Sequence, residues 1–418
     1  MMQQINHHTE SINNGKIPNG YKKTELGIFP CDWETDKSFG DLFDFYGGLG
    51  ITREELGEEG HAYLHYGDLH RGEFNVVSHQ QYERLPKCNV HLKDSESYLM
   101  QDGDVAFLDA SEDLEGTSRS VLIDNPENKP FIAGLHIIYG KPKDQSLDKW
   151  FKQYITSTDC VKKQFHHLAV GFKVYGLNRE TLPKIRLAFP KSFSEQAEIA
   201  EILMTWDKAI ELYKKQIEKL KQFKSVCLKK MFPAKGQTVP EWRFKGFTGD
   251  WEQRKLGDLL QTISFKAYLK GPEQDGKYEI IQQGNEPIIG YANGLPCDDY
   301  QNTVIFGDHT LSLYKPKNPF FVATDGVRII KGLEDMDGYF LLELLERNKP
   351  QSEGYKRYFS ILADRDAYFT PDHDEQTQIG ACFGRLDDLI TIHQRKLEAE
   401  QKRRKVLQQY LLNGIVRV

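Results

Sequence analysis

The sequence contains an internal repeat, and this repeat limits the folds open to the chain more than any other feature. The motif Asp-Trp-Glu at 32–34, followed by Gly-Asp-Leu at 40–42, recurs at 250–252 and 257–259. Two matched motifs in the same order with similar internal spacing indicate a duplicated unit rather than chance.

A second pair of blocks follows the first pair. Glu195-Gln196 with Ile199 and Asp207 recurs as Glu375-Gln376 with Ile379 and Asp387, at a constant offset of 180 residues. The chain is therefore expected to alternate in the order region A, helix A, region B, helix B.

The later block of each repeat is predicted to be a long helix. Its apolar residues recur at alternating steps of three and four, which is typical of a coiled-coil seam, and charged residues fill the other faces. Each helix would run for about 40 residues, or about 60 Å. Each apolar seam needs a partner, and the return of the chain through region B favours antiparallel pairing of the two copies. The predicted seam residues are Ile199, Leu203, Trp206, Ile210, Ile217 and Leu220 in helix A, and Ile379, Phe383, Leu386, Ile390, Leu397 and Leu407 in helix B.

Both helices are predicted to begin with a capping box. Ser192 precedes Glu195 by three residues, and Asp372 precedes Glu375 by the same spacing. A capping oxygen followed at this distance by a glutamate satisfies the first free backbone N–H groups of a helix. We therefore expect both glutamates to act as caps, without a catalytic role.

Regions A (about 20–188) and B (about 240–368) contain short apolar runs separated by Gly, Asp and Asn turns, which indicate strands. The clearest predicted strands cover 104–108, 131–139, 302–306 and 327–330. One helix is expected in each region, at Leu147–Thr156 and Gly338–Glu346. Both regions are therefore predicted to be α+β globules.

Two glycine-rich segments raise the possibility of nucleotide binding. Gly271–Tyr278 approaches the phosphate-binding loop, but Tyr278 replaces the hydroxyl residue that would bind magnesium, so we interpret it as a turn. Phe45–Gly50 has the glycine density of a cofactor loop, but the chain has no Asn/Asp-Pro-Pro-aromatic motif of a DNA methyltransferase. We interpret it as a flexible loop.

Metal-dependent chemistry is not indicated either. His61 and His65 have the spacing of a zinc-protease helix, but Ala62 occupies the position of the required glutamate. The carboxylates near Asp372 lack the lysine of a magnesium-dependent nuclease. No pair of the six cysteines forms a Cys-x-x-Cys motif, so neither a zinc ribbon nor a disulfide framework is expected.

The net charge is −6 and the calculated isoelectric point is about 6.1, which by themselves argue against nucleic-acid binding. A local basic surface, or phosphate contacts supplied by partner chains, would answer that objection. No apolar stretch reaches the roughly 18–20 residues of a membrane span, and the N-terminus has no signal-peptide pattern. We therefore expect a cytoplasmic protein.

Sequence-specific DNA contact requires side chains that bind base edges, chiefly Arg, Lys, Asn and Gln, surrounded by cations that bind phosphates. Basic, aromatic and amide residues cluster in turns of both regions. The candidate DNA-binding residues of region A are Tyr66, His70, Arg71, Ser118, Arg119, Gln164 and Lys173. Those of region B are Gln282, Gln283, Asn285, Asp308, His309, Thr310, Arg328, Tyr355, Lys356, Arg357 and Tyr358.

The sequence resembles the specificity subunits of Type I restriction–modification enzymes. Residues 17–34 (IPNGYKKTELGIFPCDWE) resemble the opening of these subunits, and Leu182–Pro190, leading into Glu195-Gln196, resembles the entry into their conserved helix. Phe369–Asp387 repeats that entry, with Thr370-Pro371 in place of a fuller proline-rich lead. The resemblance covers the whole chain after the first 16 residues.

The resemblance implies an α+β fold in which two α/β target recognition domains are separated by two long helices in an antiparallel coiled coil, with pseudo-twofold symmetry. The implied segments are an N-terminal tail at 1–19, recognition domain 1 at 20–188, helical region 1 at 189–233, recognition domain 2 at 234–368 with a linker at 234–240, and helical region 2 at 369–418.

The resemblance also implies a non-catalytic protein that reads a bipartite site in double-stranded DNA. Methyltransferase (modification) subunits would dock on its helices, and motor–nuclease (restriction) subunits would join them. S-adenosylmethionine, ATP and Mg would be bound by those partners, with no cofactor in this chain. Two alternatives remain: a coiled-coil scaffold without DNA recognition, and a nucleotide-dependent enzyme built around Gly271–Tyr278.

Overall fold

The computed structural model describes residues 8–12, 14, 16–70, 75–91, 96–111, 119–168, 175–176, 178–333 and 335–418. The chain forms two compact units. Unit 1 comprises residues 1–210 and 399–418, and unit 2 comprises residues 211–398. The predicted segment boundaries stay predictions, because the units divide within the two long helices and not at their ends.

The long helices follow the 180-residue offset that the sequence shows. The first is 38 residues long and begins at Phe193, and the second is 40 residues long and begins at His373. No described helix is both long and apolar enough to cross a bilayer. The α-helices are α1 (Phe39–Leu42), α2 (Tyr66–His70), α3 (His79–Tyr82), α4 (Asp159–Leu168), α5 (Phe193–Lys230), α6 (Gly338–Asn348), α7 (Phe359–Ala363) and α8 (His373–Leu412).

Short strands make up most of the remaining regular structure. The strands of unit 1 are β1 (Tyr21–Thr24), β2 (Gly27–Pro30), β3 (Trp33–Glu34), β4 (Phe43–Gly47), β5 (His61–Leu64), β6 (Val76–Val77), β7 (Lys87–Cys88), β8 (Val105–Leu108), β9 (Ala110–Ser111), β10 (Ser120–Ile123), β11 (Phe131–Ala133), β12 (Ile137–Pro142), β13 (Tyr175–Gly176) and β14 (Phe189–Pro190). The strands of unit 2 are β15 (Glu252–Lys255), β16 (Leu260–Ile263), β17 (Tyr278–Ile281), β18 (Ile288–Ala292), β19 (Thr303–Gly307), β20 (Leu313–Tyr314), β21 (Phe320–Val322), β22 (Val327–Gly332) and β23 (Asp366–Phe369).

The two units share a sheet topology although their sequences differ. In unit 1, β12 lies between β4 and β8, and β5 lies between β11 and β7. In unit 2, β22 lies between β16 and β19, and β17 lies between β21 and β18. In each unit the central strand of the second sheet has one parallel and one antiparallel neighbour. The prediction of two α+β globules is confirmed, and β5 corresponds to β17.

The segment 131–139 forms two strands, β11 and β12, and not the single strand that we predicted. The chain turns at Gly134, where an added Cβ would lie 2.4 Å from the carbonyl oxygen of Leu64, and His136 adopts a left-handed φ of 64°. The apolar pattern continues across this turn because both strands are buried. The predicted helix at Leu147–Thr156 is also different: the chain there forms a 3₁₀ helix at Phe151–Ser157, followed by α4.

The glycine-rich segment Phe45–Gly50 is not the flexible loop that we predicted. Its first residues lie in β4, and Gly48 packs so closely on unit 1 backbone that an added Cβ would lie 1.7 Å from the Gly134 carbonyl oxygen. The glycines therefore serve close backbone packing. Gly271–Tyr278 is a turn, as predicted, and it leads into strand β17 and not into the helix that a phosphate-binding loop requires.

Within unit 2 the two long helices run antiparallel. The rings of Tyr213 and His393 lie 6.2 Å apart, and further along α5 Lys224 binds Asp387, which lies earlier in α8. In unit 1, Arg404 of α8 binds Asp207 of α5, with Nε 2.9 Å from Oδ1 and Nη2 3.1 Å from Oδ2. These two ion pairs are equivalent under the repeat, since both acids and both bases are 180 residues apart.

All twelve predicted seam residues are buried or half-buried. Their partners differ along the helices. Ile199 and Leu203 belong to the hydrophobic core of unit 1, and Ile379, Phe383 and Leu386 belong to that of unit 2. The seam therefore also builds the cores of the globules, which accounts for the aromatic Phe383 at a seam position.

The capping prediction for Glu195 and Glu375 is wrong for their side chains. Ser192 and Asp372 do accept hydrogen bonds from the backbone N–H groups three residues later. The glutamate carboxylates, however, are buried and bind arginines. Arg417 binds Glu195 in unit 1. In unit 2, Arg243 binds Glu375 through two hydrogen bonds of 2.7 and 2.9 Å.

The glutamines that follow these glutamates have equivalent roles. The Gln196 side chain donates to the Pro190 carbonyl and accepts the Asp148 N–H. The Gln376 side chain donates to the Thr370 carbonyl and accepts the Asp337 N–H. Each Glu-Gln pair of the repeat therefore fastens the start of a long helix to its own globule.

Candidate nucleic-acid interface

In unit 2, four segments that are far apart in sequence meet on one surface. They follow β17, follow β19, surround the start of β22 and precede α7. We call this the unit 2 polar surface, and it consists of Gln283, His309, Thr310, Arg328, Tyr355, Lys356 and Arg357. The structure thus brings together seven of the eleven candidates that the sequence gave for region B.

His309 connects three of these segments. Its backbone N–H donates to Gln283 Oε1 at 3.1 Å, and its Nδ1 lies 3.1 Å from the carbonyl oxygen of Lys356. Because a carbonyl can only accept, Nδ1 carries the hydrogen in this contact and Nε2 is left as an acceptor when the ring is neutral.

Tyr355 stacks on His309 and projects into solvent. The two ring centroids are 4.5 Å apart with an interplanar angle of 6°, and Tyr355 is 87% exposed. A large aromatic side chain that is ordered by stacking yet this exposed is available to a ligand. Arg357 is also exposed, and its guanidinium lies 3.8 Å from the exposed carboxylate of Asp325.

Asp308 and Tyr358 are buried, which contradicts their selection as DNA-contacting residues. Asp308 is 1% exposed; its carboxylate accepts the Phe359 N–H at 2.9 Å and lies 3.1 Å from Nη2 of Arg328. The Tyr358 hydroxyl accepts the Glu353 N–H and donates to the Gly354 carbonyl, both at 2.7 Å. Both residues hold the 353–359 segment in place and so position Tyr355 and Arg357.

Gln282 and Asn285 lie in the turn between β17 and β18. The Gln282 amide donates to the Glu286 carbonyl at 2.9 Å, within the same turn. Asn285 is exposed. Gln282 is therefore occupied by the turn, whereas Asn285 remains accessible.

Unit 1 has a corresponding acid–cation pair that sequence reasoning missed. Asp109 follows β8 as Asp308 follows β19, and its Oδ1 lies 3.0 Å from Nδ1 of His136, which precedes β12. Burial raises the pKa of the Asp109 carboxyl, and the neighbouring His136 opposes that shift. The predicted Tyr66 lies beside this pair, with its ring 6.0 Å from that of His136. The histidine was missed because it lies inside a segment that we predicted to be one continuous strand.

The other candidates of region A have different environments. Gln164 donates to the carbonyls of Cys160 and Arg186 and accepts the Arg186 N–H, so its amide holds α4 to the chain and is not available for bases. Arg119 lies beside β10 at a groove described below. His70 ends α2, but its side chain lies outside the described residues, as do Arg71, Ser118 and Lys173.

A metal-dependent site is not present in the part of the chain that the structure describes, where no three His, Cys, Asp or Glu side chains are grouped to hold an ion. His61 lies in β5, and His65 Nδ1 accepts the Gly67 N–H at 3.0 Å, so both have ordinary strand and turn roles, as predicted.

Comparison with known proteins gives a consistent result. Residues 30–222 match the family model of the Type I restriction modification DNA specificity domain. The chain is 23% identical over 427 residues to the specificity subunit assigned to the type I restriction enzyme MjaX of Methanocaldococcus jannaschii, an alignment that covers 95% of this chain and 97% of that protein.

Two solved structures share the fold. The S subunit of the Type I restriction–modification system from M. genitalium aligns with a TM-score of 0.62 at 16% identity, covering 95% of this chain and 98% of that one. A chain from a structure describing complex assembly and conformational transition of the type I R-M system aligns with a TM-score of 0.51 at 12% identity, covering 96% of this chain and 100% of that one.

Proposed function

Because this chain belongs to the Type I restriction–modification specificity family through residues 30–222, we propose that it is the subunit that selects the DNA sequence. Each unit would read one part of a bipartite site in double-stranded DNA. Its relatives are named specificity subunits, and that subunit is the non-catalytic component of such enzymes.

The unit 2 polar surface is the observation that carries this proposal. It places an exposed aromatic ring, two cations and an amide side chain on one surface, and a buried Asp308–Arg328 pair fixes the loops beneath them. Amide and guanidinium groups can read base edges, whereas lysine ammonium groups bind phosphates. The equivalent location in unit 1 holds Tyr66 and His136, so the two units present different chemistry on the same framework.

The long helices are proposed as the docking surface for methyltransferase subunits. Leu212 and Val226 of α5 are 60% and 41% exposed, and Ile392 and Val406 of α8 are 47% and 39% exposed. These four residues form two pairs at the 180-residue offset. Repeated apolar exposure of this kind is typical of an interaction surface, and the repeat would offer equivalent sites to two copies of one partner.

Motor–nuclease subunits are proposed to join this assembly, and S-adenosylmethionine, ATP and Mg are proposed to bind those partners and the methyltransferase subunits. The acidic net charge of this chain fits such a division, since the other subunits would share contact with the DNA phosphates.

Substitution of Arg357 by Gln tests the proposed recognition surface. If the guanidinium binds a base edge, the affinity for the recognised duplex falls about tenfold or more, and discrimination at one base position relaxes. The control is Arg365→Gln, since Arg365 is also exposed in unit 2 but contacts the Asn348 carbonyl outside the polar surface. Binding would be measured by fluorescence anisotropy on duplexes that differ at single positions. Equal effects of both substitutions, or of neither, would contradict the assignment.

A further inference from the structure

Unit 1 contains a groove that the recognition loops alone do not explain. Its volume is about 560 Å³, and its walls come from β10, α4, α5 and α8. The side chains that matter for its chemistry are Arg119, Lys162, His166, Lys405 and Gln401, with Asp207 and Arg404 at one wall.

The groove is cationic. Asp207 is the single carboxylate among the described lining residues, and it is already bound by Arg404 and by the Tyr154 hydroxyl at 2.9 Å. Burial next to this carboxylate raises the pKa of Tyr154, so the phenol remains a neutral donor. Arg119, Lys162 and Lys405 form no ion pair with any residue that the structure describes. Three positive charges therefore face the groove without neutralisation from the described part of the chain.

The repeat does not require this charge. The positions of helix α5 that correspond to Lys405 and Gln408 are Ser225 and Leu228, 180 residues earlier. In unit 2, Lys224, the counterpart of Arg404, is enclosed by two carboxylates, Asp387 and Glu343, each 2.8 Å from its Nζ. The cationic groove is thus a property of unit 1 alone and not a consequence of how the helices pair.

The groove adjoins the proposed recognition surface of unit 1. Leu69 of α2 lines it, and Tyr66 lies one turn earlier in the same helix. Arg119 is itself one of the candidates that the sequence indicated. A polyanion that contacts Tyr66 could therefore continue into the groove.

We propose that this groove binds backbone phosphates of duplex DNA next to the half-site that unit 1 reads, so that the long helix α8 contributes directly to DNA affinity through Lys405. The assignment rests on the proposed function and adds a phosphate site to it. Arg and Lys bind phosphodiester oxygens irrespective of sequence, and such contacts position a protein on the duplex without specifying bases. Neutral donors such as Gln401 can complete the contact with the same oxygens.

The test compares two double variants of the full chain. Lys162→Gln with Lys405→Gln removes one groove cation from α4 and one from α8. Lys163→Gln with Lys402→Gln removes two exposed cations from the same helices outside the groove. Each variant would be titrated with salt against two 30-base-pair duplexes, one carrying the recognised site and one of unrelated sequence. Matched thermal unfolding curves would establish that both variants fold.

The groove variant is expected to show a plot of log affinity against log salt that is less steep by about 2, because each lost phosphate contact removes about 0.9 from the slope. A fourfold rise in salt would then cost the wild type about tenfold more affinity than the variant. The change should be the same on both duplexes, and the outer variant should behave as the wild type.

Equal slopes for the wild type and the groove variant would overturn the phosphate site, as would equal losses in the two variants. Loss of association with the partner subunits, with DNA binding by the full chain unchanged, would instead identify the occupant as an acidic segment of a partner protein and would also overturn it. Failure of the wild type to prefer the recognised duplex would count against the proposed function, not against this site.

Discussion

At the residue scale, the two units hold an acid and a cation at matching places, yet the cations differ. Asp308 faces Arg328 in unit 2, and Asp109 faces His136 in unit 1. Both acids follow a central strand, and both cations lie at the start of the strand paired with it. The pairs fix the loops that carry the candidate contact residues, and their chemistry is a way for one framework to present different surfaces.

Asp308→Ala is predicted to destabilise unit 2 although the residue is proposed not to touch DNA. The substitution leaves the Phe359 N–H and the Arg328 guanidinium without their acceptor, at a cost of about 2–3 kcal/mol. Chemical denaturation of the full chain would measure this loss. Asp308→Asn is the control: it keeps an acceptor for the N–H group and should lose less. Unchanged stability combined with lost DNA affinity would show instead that Asp308 contacts DNA.

At the scale of secondary-structure elements, the long helices are joined to their globules by buried charged groups. In unit 2, Lys224 of α5 is bound by Asp387 of α8 and by Glu343 of α6, which is fully buried. Burial raises the pKa of Glu343 to about 7, although Lys224 opposes the shift. In unit 1 the neutral Tyr154 contacts the equivalent Asp207–Arg404 pair.

The raised pKa of Glu343 predicts that the stability of unit 2 depends on pH. Because the folded chain holds this proton more tightly than the unfolded chain, stability falls as the pH rises from about 4.5 to about 7 and is then level. Glu343→Gln removes this dependence, so the difference in unfolding free energy between variant and wild type should change by up to about 3 kcal/mol across that window. Denaturant titrations at several pH values would measure it. A difference that stays constant with pH would contradict the assignment.

The elements also show how much the sequence could predict. The 180-residue offset predicted both long helices and a buried seam, and the alternation of apolar runs and turns predicted two α+β globules. The offset also contained a signal that was not used: Lys224 and Arg404 interrupt the seam at equivalent positions, which marks them as partners of Asp387 and Asp207.

What the sequence could not predict is which polar residues the fold buries. Gln164, Asp308 and Tyr358 have the composition of contact residues, but each is occupied by backbone groups brought close by tertiary packing. The turn at Gly134 was hidden because the strands on both sides are equally apolar. Burial of a polar side chain depends on partners distant in sequence, and local patterns do not contain that information.

At the scale of the whole molecule, each long helix is continuous from one unit into the other. Continuous helices of about 60 Å would set the number of unread base pairs between two half-sites. This proposal depends on the helices and not on the recognition loops, so it can be tested separately.

Insertion of four residues after Ile210 and four after Glu398 would add about one turn to each helix where the units divide. We expect a longer unread spacer with both half-sites unchanged, because the candidate contact residues stay on their own globules. Methylome sequencing of cells that express the variant with its methyltransferase would show the new site. Changed half-sites with the same spacer would contradict this role of the helices.

The most direct test of the central claim, that each unit reads its own part of the DNA site, is to replace residues 20–188 with the corresponding region of another specificity subunit. Methylome sequencing would then be carried out with the same methyltransferase partner. The account predicts that one half-site changes to that of the donor while the other half-site is retained. A change in both half-sites, or in neither, would contradict it.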